Sequence, residues 1–231
     1  MSILAENVKK IYEKIAAAAK KSGRNPEDIT LVAATKTVSA DRINEAIRAG
    51  LTDIGENRVQ EFTEKYEDIT EPVRRHFIGH LQTNKVKYII GKVCLIHSAE
   101  SEKLLDEIER LSQKHGIITD VLIEVNASGE ESKFGVEFDD VLPMLENNEK
   151  RENVRIRGLM TIGPNYSGED EIRAAFCKMH ELFKNLREHS FKNSSMDFLS
   201  MGMSNDFEIA IEEGANIVRV GSAIFGERIY K

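Results

Sequence analysis

Ile29-Thr30-Leu31-Val32-Ala33-Ala34-Thr35-Lys36 is a short β-rich run that ends in a lysine, and it opens a regular beat of strand and helix along the chain. Alternation along a strand puts Thr30, Val32, Ala34 and Lys36 on one face, where the small Ala34 leaves room beside the amine. A lysine at a strand's exit can point into a pocket. Desolvation there lowers its proton affinity and makes it a nucleophile for carbonyls. The ordinary strand-end lysine is simply solvated, so the remaining sequence carries the decision.

Upstream, residues 3–21 read as a helix with apolar positions at Leu4, Val8, Ile11, Ile15 and Ala18, closed by Ser22-Gly23 and by Pro26 beyond. Downstream, apolar β-rich runs alternate with helical patterns. The strand candidates are residues 29–35, 53–55, 76–79, 93–97, 119–125, 156–162, 198–201 and 217–220. Helical patterns follow them: one capped at Ser39 and ending at Gly50, then 59–66, 84–90, 102–115, 138–146, 169–189 and 205–213. Strands separated by helices pair in parallel through right-handed crossovers. Eight of them in 231 residues, without an obvious linker, predict a single α/β domain over 1–231: a closed (β/α)8 TIM barrel with an extra N-terminal helix. The competing open sheet loses its best support, because no Gly-x-Gly-x-x-Gly fingerprint follows the first strand and no Walker loop occurs.

Composition narrows the partners. The chain is 41% hydrophobic and 31% charged with only 4 prolines, as expected of a soluble globular protein and not of a disordered one. A net charge of −7 argues against a nucleic-acid surface. Cys94 and Cys177 lie far apart in no metal-binding spacing, no apolar stretch approaches a membrane span, and the N-terminus carries no signal region. A reducing, cytoplasmic home is the expectation.

In a barrel, the loops at the carboxyl ends of the strands converge on one functional face, so Lys36 lies at the mouth. The ends of strands seven and eight are the usual phosphate corner. Here they read Met201-Gly202-Met203-Ser204-Asn205-Asp206 and Gly221-Ser222-Ala223, small and rich in donors. Ser204 reads equally as a helix cap and Gly221 as a turn residue. Arg219, two residues before Gly221, shares its face and points into the barrel, either to a ligand or to a salt bridge with an acid such as Glu56. An amine at strand one, a phosphate cup at strands seven and eight and a guanidinium between them outline a flat phosphorylated aldehyde. Pyridoxal 5′-phosphate (PLP) is such a molecule. Asn57, after strand two, either hydrogen-bonds the phenolic oxygen of that molecule or caps a helix. His80, Glu124, Asn126 and Met160 lie at other strand ends, open to a ligand or to loop and core roles.

The motifs Val32-Ala33-Ala34-Thr35-Lys36-Thr37, Gly55-Glu56-Asn57-Arg58-Val59-Gln60-Glu61, His76-Phe77-Ile78-Gly79-His80-Leu81-Gln82-Thr83-Asn84-Lys85, Gly158-Leu159-Met160-Thr161-Ile162, Leu199-Ser200-Met201-Gly202-Met203-Ser204 and Val218-Arg219-Val220-Gly221-Ser222-Ala223-Ile224-Phe225-Gly226 occur in order along nearly the whole chain. In these motifs the chain resembles the YggS/PROSC family of pyridoxal phosphate homeostasis proteins. The resemblance implies a fold-type III, alanine-racemase-like PLP barrel without the second β domain. It implies that Lys36 carries the cofactor as a Schiff base, that Ser204, Gly221 and Ser222 hold its phosphate, that Arg219 faces its pyridine nitrogen and that Asn57 stands near its phenolic oxygen. Arg58 replaces a frequent aromatic residue, Ser222 a common threonine, and Val38-Ser39 a frequent proline.

The leading expectation is a monomeric, non-enzymatic PLP binder that limits the free aldehyde and passes it to apo-enzymes. Two-sided proton transfer needs a group on each face of the substrate, and the chain's last residue, Lys231, follows Gly226 by only five, leaving no expected second domain. The competing readings are a weak PLP-dependent racemase or decarboxylase using Tyr166 or His80, and a Schiff-base aldolase. Lys133, after strand five, is a candidate second amine for cofactor release or a plain solvated residue.

Overall fold

The structure is a computed structural model that describes residues 2–127, 129–130, 134–164 and 168–226. Eight parallel strands close into a barrel in sequence order, as the sequence predicts. They are β1 Thr30–Ala34, β2 Asp53–Glu56, β3 Arg74–Phe77, β4 Leu95–Ala99, β5 Thr119–Glu124, β6 Val154–Met160, β7 Ser194–Ser200 and β8 Ile217–Val220. The α-helices are α1 Ile3–Lys21, α2 Ala40–Arg48, α3 Val59–Lys65, α4 Glu102–His115, α5 Val141–Asn148, α6 Glu169–Arg187, α7 Phe207–Glu212 and the single turn α8 Ser222–Phe225. Closure is made by β1 against β8, with Val32 opposite Arg219 and Ala33 opposite Val220.

Two apolar layers follow from alternation. Leu31, Ala33, Ile54, Phe77, Ile96 and Val121 face outward into the layer between strands and helices. Val32, Ile78, Leu95, Leu122, Met160 and Ile217 fill the barrel itself. Because α8 is one turn long, the outside of the closing seam needs another cover, and α1 supplies it by packing on α2, α7 and α8. Its buried stripe is Leu4, Val8, Ile11, Ile15, Ala18 and Ala19. Asn7 Nδ2 donates to Ile224 O at 3.0 Å and ties this helix to the seam. No helix among the described residues is long and apolar enough to cross a membrane.

The structure departs from the sequence-based expectations at strand edges and after β3. There the helical pattern expected over 84–90 is a 3-10 helix, Thr83–Tyr88, in which only Val86 is buried. β3, β6 and β7 begin earlier than expected and β4 later, and bulges break strict alternation where β4 pairs with β5, β5 with β6 and β6 with β7. In β6 the extra residue lets Ile156 and Leu159, three apart, both face the outer layer. Gly158 makes this possible at φ 141°, where a Cβ would lie 1.9 Å from Phe198 O. Gly158→Ala is expected to cost more than about 1 kcal/mol of folding stability, read as a lower urea midpoint, whereas Ala at the exposed Gly168 leaves the midpoint near wild type.

Candidate functional site

Lys36 emerges two residues beyond β1, after the buried Thr35, and is half-buried at the carboxyl ends of the strands. Asn57 follows β2 directly, with its backbone N–H donated to Glu56 Oε1 at 2.9 Å. Its Oδ1 is buried and has no partner among the described residues. The bare Gly79 at the end of β3 permits this placement, since a Cβ there would fall 2.1 Å from Asn57 O.

Across the mouth, β7 and β8 bring the other four candidates together. Ser204 does not cap the following helix, which starts later than expected, at Phe207. Its Oγ instead accepts from Gly221 N at 3.1 Å and Ala223 N at 3.5 Å. Two backbone donors from the next strand's corner thus converge on one oxygen, an arrangement suited to an anion. Ser222 opens α8 and is exposed beside them. Gly202, at φ 94°, lets the chain turn back over α7, where a Cβ would meet the Ala210 Cβ at 2.5 Å.

Below this corner Arg219 is 4% exposed. Its suggested partner Glu56 is engaged elsewhere, by Lys65. Arg219 instead donates from one Nη to Ser200 Oγ at 2.6 Å and from the other to Thr161 O at 2.8 Å. Burial lowers its pKa to about 10, opposed by the charges of Glu124 and Asp206.

Ser200 is the near end of a buried chain. Its Oγ lies 3.0 Å from His97 Nδ1, His97 Nε2 lies 3.0 Å from His76 Nδ1, and His76 Nε2 lies 2.8 Å from Asp53 Oδ1. Arg74 and Thr52 donate to the same carboxyl. Burial pushes the Asp53 carboxyl up, but the bonds from His76, Arg74 and Thr52 outweigh it and hold it below the usual range. An ionised carboxylate only accepts. The protons then follow in one direction: His76 Nε2–H donates to Asp53, His97 Nε2–H to His76, Ser200 O–H to His97, and Arg219 to Ser200. Every polar atom of the chain is satisfied in this order, with His97 neutral. Burial holds His97 well below its ordinary pKa, and the Arg219 guanidinium adds to it.

None of Asp53, His76, His97 and Ser200 is among the sequence candidates. Their signal was polar residues inside otherwise apolar strands, on the inward face.

The remaining candidates divide. Met160 belongs to the barrel filling. Glu124 is 3% exposed and its Oε2 has no partner among the described residues. Burial, reinforced by Glu100 and opposed by Arg219, raises its pKa to about 7. Asn126 donates to Glu130 O at 3.0 Å. His80 Nδ1 lies 3.0 Å from Glu100 Oε1, and its ring stacks on Phe134 at 4.1 Å. Lys133 and Tyr166 lie outside the described residues.

The His97 assignment has a pH consequence. A histidine whose folded pKa is depressed binds its proton more readily unfolded, so stability is full above the unfolded value near 6.5 and falls on acidification below it, by at most about 1.4 kcal/mol per pH unit per proton. Urea midpoints of wild type are expected to fall more steeply from pH 7 to pH 5 than those of the non-titrating His97→Gln. The opposing contribution of Glu124 is present in both proteins and drops out of the comparison. Parallel slopes would contradict a buried neutral His97.

The family model of the alanine racemase N-terminal domain matches residues 6–229. A protein of Aquifex aeolicus (strain VF5), named pyridoxal phosphate homeostasis protein, is 46% identical over 226 residues, covering 97% of this chain and 98% of its own. Among solved structures, one of a protein from Bifidobacterium adolescentis aligns with a TM-score of 0.89 at 36% identity, over 96% of this chain and 94% of that one. PipY of Synechococcus elongatus PCC7942, solved with PLP bound, aligns with a TM-score of 0.80 at 30% identity, over 92% of this chain and all of that one (100%). With a family model across nearly its whole length and a relative this similar over its full span, the chain belongs to the pyridoxal phosphate homeostasis proteins of the alanine racemase N-terminal domain family.

Proposed function

We propose that this chain, as one barrel domain over residues 1–231, binds PLP as a reversible Schiff base on Lys36 and serves PLP homeostasis by holding the aldehyde and releasing it to apo-enzymes. The observation that carries the reading is the corner where Gly221 N and Ala223 N converge on Ser204 Oγ, above the buried Arg219. Its donors suit a phosphate. The buried Asn57 Oδ1 on the opposite side, without a partner among the described residues, supports a ligand group there too. PipY, a relative of the same fold, holds PLP.

In this reading Ser204, Gly221 and Ser222 hold the phosphate, Arg219 faces the pyridine nitrogen and Asn57 stands near the phenolic oxygen. The bound group supplies an electrophilic carbonyl carbon. The chain supplies the amine of Lys36, the anion corner and a fixed cation. A guanidinium leaves the pyridine nitrogen unprotonated, which makes the ring a poor electron sink. His80, one candidate for a second proton-transferring group, is occupied by Glu100 and Phe134. The reading is holding and release, by a monomer in the cytoplasm. One observation favours a second reading, weak racemase or decarboxylase activity: Glu124, buried and near neutrality in pKa, has the properties of an acid–base group.

PLP-loaded protein is expected to show Schiff-base absorbance, to lose it with borohydride and to carry the reduced adduct on Lys36. Lys36→Ala is expected to lose the band and most of its retained cofactor. Absence of the band, or unchanged cofactor content in Lys36→Ala, overturns the reading. Across a panel of amino acids, chirality and carboxylate are expected to persist as in the Lys36→Ala control. Turnover that disappears in Glu124→Gln would establish the second reading instead.

A further inference from the structure

The backbone on both sides of Lys36 is held by groups that belong to no part of the cup described above. On the far side, Thr37 sits at φ 63°, the only non-glycine residue with positive φ among the described residues. β-branched residues avoid that region, and a residue stays in it only where its surroundings over-determine it. Thr37 N–H donates to Glu61 Oε2 at 2.7 Å, and its Oγ1 donates to Lys36 O at 2.6 Å. On the near side, Thr35 O accepts from Lys65 Nζ at 3.0 Å, and Thr35 Oγ1 lies 3.1 Å from Glu56 Oε2.

Lys65 joins these contacts. Its Nζ also donates to Glu56 Oε2 at 3.1 Å and Glu61 Oε2 at 2.7 Å, which uses all three protons of the ammonium. The Lys65 side chain is only 15% exposed and that of Glu56 6%. Burial pushes the Glu61 carboxyl up, but Lys65 and the Thr37 N–H outweigh it and hold it down, so it stays ionised at neutral pH. Glu56 Oε1, meanwhile, accepts the backbone N–H of Asn57. One ammonium between two carboxylates therefore reaches the residue before Lys36, the residue after it and the backbone of Asn57.

An i,i+4 pair such as Glu61–Lys65 is commonly a solvated helix ornament contributing little. This one differs in where its remaining bonds go. They run off the helix to a strand end and to a strained turn.

We propose that Lys65, with Glu56 and Glu61, is a positioning group that presents the Lys36 amine and Asn57 toward the aldehyde end of the ligand. The proposal rests on PLP binding at Lys36 and adds the residues that make Lys36 reactive there. The strain at Thr37 is what the triad holds in place; without it the turn relaxes and the amine loses its fixed approach.

The test compares wild type, Lys65→Met, Lys65→Arg and Glu61→Gln. It measures borohydride trapping of PLP on Lys36, hydrogen exchange of the Thr37 amide in protein free of PLP, and thermal unfolding. Lys65→Met is expected to unfold cooperatively, to trap PLP at least tenfold more slowly and to exchange the Thr37 amide at least tenfold faster. Lys65→Arg, which keeps the charge and the donors, is expected to stay within threefold of wild type in both. Wild-type trapping and exchange in a folded Lys65→Met overturn the proposal. If that variant does not fold, Glu61→Gln carries the test: trapping slowed at least threefold supports the proposal and an unchanged rate overturns it. Failure of wild type to trap PLP on Lys36 would instead overturn the binding reading, and the exchange of Thr37 would still decide whether the triad holds the turn.

Discussion

A guanidinium buried in a barrel filled otherwise by Val32, Ile78, Leu95, Leu122, Met160 and Ile217 has to be satisfied by the barrel itself, and the chain from Arg219 to Asp53 does this. Each link fixes the next one's proton. Losing one member would leave a buried donor or acceptor unmade, at about 1–3 kcal/mol, so the chain acts as a unit. Its far end is anchored by Arg74 and Thr52 at the amino-terminal side of the strands, and its near end lies under the anion corner. A cation in a set orientation is thereby present before any ligand arrives, which is the economy of a preorganised site.

The mouth is built on the same principle from backbone more than from side chains. Gly221 N, Ala223 N, Thr161 O and the left-handed Thr37 are positions of the chain, set by β8, β6 and the turn after β1. Side chains add a lysine on one side of the opening and a hydroxyl corner on the other. On the proposed reading, such a site holds a flat, anionic aldehyde without groups placed to move protons on two faces of a substrate. That is consistent with a family of PLP homeostasis proteins sharing the barrel of alanine racemase.

The architecture was legible because each strand contains or adjoins a short apolar stretch and helical patterns separate them, and because residues 217–220 and 102–115 have sharp chemical boundaries. The edges of β3, β4, β6 and β7 were not, and in β6 a bulge also changes which residues face inward without changing composition. The site divides in the same way. Ser204, Arg219, Gly221 and Ser222 stand together because two neighbouring strand ends carry them, as their places in the sequence indicated. The turn of Ser204 away from the helix and toward Gly221 was hidden, because capping and anion chemistry use the same residue types. His76, His97 and Asp53 were hidden more deeply. A polar residue within a strand gives no sign of its partner until three other strands have been brought beside it.

The most direct measurement is a crystal structure of the protein loaded with PLP. The account predicts density joining the cofactor to Lys36, its phosphate at the amides of Gly221 and Ala223, and Arg219 still bonded to Ser200 and Thr161 while facing the pyridine nitrogen. A cofactor seated away from that corner, or an Arg219 that has left Ser200 to pair with Glu124, would contradict it.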